Sequence, residues 1–193
     1  MTKTRLEAFS DGVIAILITI MVLELHSPHG ADLATLLGLA PTFWSYVLSF
    51  VFLGIYWNNH HHLLQASKRV NGPVLWANLH LLFWLSLVPF ATSWMGGNNF
   101  AELPVAVYGA VLWISGLAYY LLARTLIGLH GTDSKIATAL GNTTKEITSL
   151  VCYALAVVLA FVNTAFSLAL YVFVALIWLI PDRRIEKLLG HEE

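Results

Sequence analysis

The chain has 193 residues, of which 58% are hydrophobic and 11% are charged, and its mean hydropathy is +0.74. Such a composition excludes a soluble globular domain, and apolar runs fill most of the length, which predicts an all-α integral membrane protein. The formal net charge of −1 does not point to nucleic acid as a partner. The single cysteine, Cys152, excludes an internal disulfide.

The first apolar stretch, residues 5–26, is long enough to cross a bilayer. About 20 helical residues, rising about 1.5 Å each, match a hydrocarbon core of about 30 Å. This stretch also contains an arginine, acids and hydroxyls, which a plain membrane anchor would lack. Ionisable residues within a spanning helix are costly and usually face protein or water, so we expect function to centre on this helix. Its length, with no small-residue cleavage site after it, argues against a cleavable signal peptide.

Breakers between the apolar runs predict six membrane spans in one domain covering residues 1–193. The spans are expected at about 5–26, 41–67, 73–95, 103–125, 144–162 and 164–181. Residues 32–39 are predicted to form a short amphipathic helix, and residues 128–142 a loop. The last apolar run is divided at Asn163-Thr164, because a single helix over 147–180 would be about 50 Å long.

The placement of lysine and arginine tests the number of spans. With six spans, all ten of these residues fall on one side of the membrane. The positive-inside rule then places both termini in the cytoplasm, which fits a multi-pass protein of the cell inner (plasma) membrane. Merging the last two spans would move Arg183, Arg184 and Lys187 to the other side.

One face of the first helix carries an apolar stripe with a single hydroxyl, at about 100° per residue. The stripe consists of Phe9, Gly12, Ile16, Thr19, Ile20 and Leu23. It could pack against other helices of the same subunit, with Thr19 bonded to its own backbone. It could instead line a narrow pore between subunits, where aliphatic rings constrict and a hydroxyl ring contacts the ion.

Polar residues near the cytoplasmic end predict a structural cluster that braces the first helix, and a proton relay is the alternative. They are Arg5, Asp11, Asn58, Asn59, His60, His61, His62, Asn78 and His80. The consecutive histidines project about 100° apart on a helix and cannot all bind one ion, so no metal is expected. At the outer end, Glu24 is interpreted either as part of an acidic ring at a pore mouth or as a solvated interfacial acid.

The pattern Arg5-x-x-x-Phe9-Ser10-Asp11, followed by Ile16, Thr19 and Leu23-Glu24-Leu25, resembles the signature of the lysosomal/endosomal potassium channel family, in its prokaryotic branch. The run from Tyr56 to His62 and the six-span layout extend this resemblance over the chain. The resemblance implies a homotetramer in which the first helix of each subunit lines a central pore, without a separate filter loop. It also implies that the protein is not an enzyme.

The resemblance further assigns roles to individual residues. It places the hydrophobic constriction at Ile16, Ile20 and Leu23, and the selectivity-linked hydroxyl at Thr19. It places the motif residues in a polar cluster formed by Arg5, Phe9, Ser10, Asp11, Trp57, His60 and His61. No Thr-Val-Gly-Tyr-Gly sequence occurs, so selectivity would not come from a carbonyl cage. The expected protein is a passive, potassium-preferring channel, permeable to other monovalent cations and without a cofactor.

Three alternatives stay open from the sequence. A proton-coupled transporter would use Asp11 or Glu24 as its titrating group. A membrane metalloprotein would be built on the histidines. A purely structural membrane protein would conduct no ions.

Overall fold

A computed structural model describes residues 2–131, 134, 137 and 143–179. Within these ranges the chain is helical, without a strand, as the sequence predicts. The helices are α1 (Lys3–Leu23), α2 (Leu33–Leu37), α3 (Ala40–Gln65), α4 (Gly72–Leu85), α5 (Val88–Gly97), α6 (Glu102–His130), α7 (Thr144–Leu159) and α8 (Thr164–Leu179).

Four segments are long and apolar enough to cross a membrane: α1, α3, α4 together with α5, and α6. The third of these was predicted as a span at about 73–95, and the structure builds that span from two helices. The helix is interrupted at Ser86 and Leu87. Pro89 explains the interruption, because it has no N–H to donate to the carbonyl of Leu85.

α7 has 16 residues, and at about 1.5 Å per residue it measures about 24 Å, which is less than a hydrocarbon core of about 30 Å. The described part of α8 also has 16 residues. The predicted turn between them is confirmed, and Asn163 Oδ1 accepts a hydrogen bond from Ala165 N at 2.9 Å. Six crossings and two cytoplasmic termini stay predictions. The end of the sixth predicted span, at 180–181, lies outside the described residues.

α6 extends further than the sequence predicted, since residues 128–130 were expected in a loop. The ring of His130 explains the extension. Its Nδ1 bonds the carbonyl of Leu126 at 2.9 Å. Its Nε2 accepts from the backbone N–H groups of Lys68 at 3.1 Å and Arg69 at 3.3 Å. The last turn of α6 is therefore tied to the connection between α3 and α4.

α6 is the central helix of the subunit and packs against α4, α5, α7 and α8. α1 lies at the periphery, mainly against α3, α4 and α5. Its buried residues recur every three or four positions along one side: Leu6, Ser10, Ile14, Leu17 and Met21. This spacing is that of a single helical face, so α1 contacts its own subunit on one side.

Candidate pore-lining face and its polar anchors

The predicted stripe of α1 lies on the surface of the subunit. Ile16 is 59% exposed and Leu23 is 71% exposed, while Phe9 and Ile20 are also exposed. Gly12 and Thr19, the other members, are exposed as well. The interpretation that this stripe packs against other helices of the same subunit is therefore wrong. The face is free to contact a pore, lipid or another copy.

The hydroxyl of Thr19 donates to the carbonyl of Ala15, one turn earlier in α1, at 2.9 Å. The expected bond to its own backbone is thus present. Because the hydrogen is used in this bond, the oxygen presents its lone pairs as acceptors. An exposed acceptor of this kind can contribute to the coordination of a cation.

A buried chain of hydrogen bonds joins α1, α3 and α4. Ser10 Oγ donates to the carbonyl of Leu6 at 2.9 Å, and Asn78 Nδ2 donates to Ser10 Oγ at 3.0 Å. Asn78 Oδ1 lies 2.7 Å from His60 Nε2. Since an amide oxygen only accepts, this arrangement puts a proton on Nε2 of His60. Ser10, Asn78 and His60 are all buried, so their mutual bonds offset the cost of removing polar groups from water.

A second contact holds the flank of α1. Trp57 Nε1 donates to Asp11 Oδ1 at 3.0 Å. The Trp57 ring stacks on His61, with centroids 6.1 Å apart and planes inclined by 24°. Ser10 and Asp11 are neighbours in sequence and project about 100° apart, so they reach different partners. The predicted cluster is thus two separate anchors on one helix.

Arg5 and Phe9 belong to neither anchor. Both are exposed. Among the described residues, Arg5 makes no hydrogen bond or ion pair, so it does not meet the polar groups as the sequence suggested. The roles that the resemblance assigns to these two residues stay predictions, and any partner of Arg5 lies outside the described part of this subunit.

Glu24 follows the last residue of α1, at the end opposite to both anchors. Its Oε2 accepts from Ser93 Oγ of α5 at 3.1 Å, and its side chain is exposed. This contact fixes a carboxylate at that end. Both interpretations of Glu24, as part of a mouth or as an interfacial acid, are compatible with the geometry.

A buried hydroxyl chain between α3, α5 and α6 was not predicted from the sequence. Thr92 Oγ1 lies 2.7 Å from the Val88 carbonyl and 2.6 Å from Ser49 Oγ, which lies 3.0 Å from the Tyr108 hydroxyl. When Thr92 donates to the carbonyl, Ser49 donates to Thr92 and Tyr108 to Ser49. The available signal was a set of hydroxyls within apolar runs. This chain joins α3, α5 and α6, and α1 packs against the first two of these helices.

The three consecutive histidines point in different directions. His60 bonds Asn78, His61 stacks on Trp57, and the rings of His61 and His62 meet edge to face at 5.5 Å. In the part of the chain that the structure describes, no group of three or more histidine, cysteine or acidic side chains could hold a metal ion.

Comparison with known proteins agrees with the motif and the fold. The family model "Endosomal/lysosomal potassium channel TMEM175" matches residues 5–89. A potassium channel of Chryseobacterium sp. (strain P1-3) is 54% identical over 97% of both chains. A potassium channel of Streptomyces collinus is 32% identical over 89% of both chains.

The fold is shared with a solved structure. The crystal structure of a lysosomal potassium-selective channel TMEM175 homolog from Chamaesiphon minutus superposes with a TM-score of 0.81. The match covers 92% of this chain and 96% of that one, at 24% sequence identity. Together with the relative that is 54% identical, this confirms the resemblance seen in the sequence. The chain belongs to the TMEM175 family.

Proposed function

We propose that this chain is the subunit of a passive, potassium-preferring cation channel of the cell inner (plasma) membrane. In this proposal four copies surround a central axis, and each turns the exposed stripe of α1 toward it. The relatives from Chryseobacterium and Streptomyces, which match nearly the whole chain, carry the name of potassium channels. The observation that carries the assignment of the pore is the exposure of Ile16 and Leu23 on a helix whose opposite face is buried.

The proposed gate is a set of aliphatic rings. Ile16, Ile20 and Leu23 recur at intervals of three or four residues, so a ring of helices would stack them as successive apolar layers. An apolar neck a few Å wide excludes water, and a hydrated ion cannot enter it. A small outward movement of α1 would wet the neck and allow conduction.

Thr19 is the proposed contact for the permeant ion. Its oxygen lies between the layers of Ile16 and Leu23 on the same stripe, and its lone pairs are available because the hydrogen bonds the Ala15 carbonyl. Hydroxyl oxygens from several copies would form a weak coordinating layer. Potassium and other monovalent cations are the only ligands this mechanism requires.

The two polar anchors have a supporting role in this proposal. The gate works only if α1 keeps its rotation, since about 100° of turn would replace each stripe residue with its neighbour. Ser10 bonds α4 through Asn78, and Asp11 bonds α3 through Trp57. Two bonds in different directions prevent α1 from rolling about its axis.

The proposal is tested by the substitution Ile16→Asn in purified protein reconstituted into liposomes. A polar ring should keep the neck wet, so the potassium flux should rise several-fold above that of the unmodified protein. Val22→Asn is the matched control, because Val22 is also exposed on α1 but projects about 120° away from Ile16. Equal flux in the Ile16→Asn variant and the unmodified protein would remove Ile16 from the gate.

The same liposomes separate a channel from a proton-coupled transporter. With equal potassium concentrations on both sides and no membrane potential, an imposed proton gradient drives no net potassium flux through a channel. A net potassium flux under this condition would support the transporter with Asp11 or Glu24 as its titrating group. A complete lack of flux, under a potassium gradient as well, in correctly assembled protein would support a structural role.

A further inference from the structure

His80 is a polar side chain on the outer surface of a membrane-spanning segment. It lies on α4 in an otherwise apolar ridge, which we call the α4 ridge and which consists of Trp76, Leu79, His80 and Phe83. Trp84 Nε1 donates to His80 Nε2 at 2.9 Å, so the proton of the neutral ring is on Nδ1. Nδ1 has no acceptor among the residues that the structure describes.

Such a donor would be costly if it faced lipid. Removal of a hydrogen-bonding group from water without a partner is unfavourable, and polar groups in membrane spans normally face protein or water. A neighbouring molecule can satisfy this donor if it presents an acceptor at the same depth in the membrane.

Asp11 provides an acceptor at that depth. His80 stands eight residues after the start of α4 at Gly72, and Asp11 stands eight residues after the start of α1 at Lys3. The bond between Asn78 and Ser10 keeps the two helices level. Asp11 uses Oδ1 to accept from Trp57, and no described residue bonds its Oδ2. An ionised carboxylate accepts several hydrogen bonds, so Asp11 has unused capacity.

Within one subunit the two groups point in different directions. Asp11 contacts α3 through Trp57. His80 projects about 200° away from Asn78, whose side chain points inward to Ser10 and His60. α1 contacts α3 through Asp11 and α4 through Ser10, about 100° apart around its axis, so the α3 flank and the α4 flank are different sides of the helix. Because Asn78 faces α1, His80 points away from α1 and from the Asp11 of its own subunit.

A ring of copies does bring them together. If the exposed stripe of α1 faces the axis, the α3 flank of one copy meets the α4 flank of the next, and the same contact repeats around the ring. We propose that the α4 ridge docks on the Asp11 and Trp57 flank of the neighbouring copy, with His80 Nδ1 donating to Asp11 Oδ2. This inference rests on the proposed ring assembly and names the residues that would hold it together.

The contact is chemically complementary. A hydrogen bond to a charged carboxylate is shorter and stronger than one between neutral groups. The exposed rings of Trp76 and Phe83 beside His80 would shield it from lipid and pack against the Trp57 and His61 rings, which are exposed on the opposite flank. The same bond would secure Asp11, and hence the rotation of α1, from outside the subunit.

Cross-linking tests the contact. In a Cys152→Ser background, Asp11→Cys together with His80→Cys is treated in membranes with a short bifunctional thiol reagent. The expected result is a ladder of covalent oligomers, while each single-cysteine variant remains monomeric. Asp11→Cys with Phe90→Cys is the matched control, because Phe90 is also exposed but lies ten residues further along the chain. A monomeric double variant, or a ladder from Asp11→Cys alone, would overturn the contact.

A charge swap provides an independent test that does not depend on the reagent. Asp11→His and His80→Asp should each lower the temperature at which the oligomer dissociates in detergent, and the combined variant should recover at least half of the loss. If the two decreases in dissociation temperature simply added in the combined variant, the proposal would be contradicted. Potassium flux without a ladder would refute the contact and leave the channel in place. A ladder without potassium flux would support the contact and refute the channel.

Discussion

α1 and α6 are both long apolar helices, yet they stand in different surroundings. In the most apolar stretch of α6, 56% of the residues are buried within the subunit, against 28% in α1. α6 is surrounded by α4, α5, α7 and α8, while α1 packs on one side only. A long apolar run therefore shows that a helix belongs in the membrane, but not whether it faces its own subunit, lipid or a pore.

The two helices are also held by different means. α6 allows close packing at Gly109, next to the ring of Tyr171, whose hydroxyl donates to the Val105 carbonyl at 3.0 Å. α1 depends on the hydrogen bonds that Ser10 accepts from Asn78 and Asp11 accepts from Trp57. Lipid chains are as apolar as the side chains, so helices in a membrane associate through close packing and polar contacts, and this subunit uses both.

The largest effect is expected from the loss of the buried anchor of α1. Asn78→Leu should lower the free energy of unfolding by about 1–3 kcal/mol, because His60 loses its acceptor, and by about 1 kcal/mol more for the lost bond to Ser10. Thermal unfolding in detergent measures the change. Asn58→Leu is the control, since Asn58 is exposed on α3 and should tolerate leucine. If both variants were equally stable, the anchor would not hold α1.

The next largest effect is expected when a glycine is replaced in α6, and the matching replacement in α1 should have almost none. In Gly109→Ala the added methyl group meets Tyr171 and Val157, which should lower the free energy of unfolding by about 1–3 kcal/mol. The higher helix propensity of alanine should offset about 1 kcal/mol of this loss. Gly12→Ala in α1 adds its methyl group where nothing lies within 4 Å. We expect its subunit stability to be unchanged or slightly raised, as measured by thermal unfolding. Unfolding caused by Gly12→Ala would show that α1 is packed on both sides.

A smaller effect is expected on ion selectivity. Thr19→Ala removes the only hydroxyl of the exposed stripe and should reduce the preference for potassium over sodium by a few-fold, equivalent to under about 1 kcal/mol. The reversal potential under bi-ionic conditions measures it. Thr19→Ser keeps the oxygen and should keep most of the preference. An unchanged reversal potential in the alanine variant would exclude Thr19 from the mechanism.

The smallest effect is expected at the outer end of α1. Glu24→Gln should lower cation flux by less than about twofold at low ionic strength and have no effect at high salt, because screening removes the attraction of an exposed carboxylate. Glu102→Gln, at the exposed start of α6, is the control and should leave the flux unchanged at any salt concentration. A salt-independent loss in the Glu24 variant would point to a direct contact with the ion.

The helical pattern could be predicted with few errors, and the errors have identifiable causes. The split between α4 and α5 follows from Pro89. A proline is tolerated in the first turn of a helix but interrupts a helix further along, so its effect depends on its position within a span. The extra turn of α6 depends on His130, which bonds backbone groups some sixty residues earlier in the chain. No local pattern contains that information.

The anchors could be predicted by type and depth but not by pairing. Asp11, Trp57 and His60 were expected together near the cytoplasmic end, and the structure assigns them to two different contacts. Arg5 was expected among them and lies apart. Ser93 and the hydroxyl chain at Ser49 were not predicted, because a hydroxyl in an apolar run can also bond its own backbone.

The sequence by itself determined that this protein is helical, that it belongs in a membrane and which family it resembles. These properties follow from hydropathy, from the spacing of charges and from a local motif. All three can be read along the chain without knowing which residues pack against each other in the fold. Tertiary structure decided which face of α1 is buried and which is free. That choice depends on the shape of the groove formed by α3, α4 and α5 and on the two anchors that fix the rotation of α1 in it.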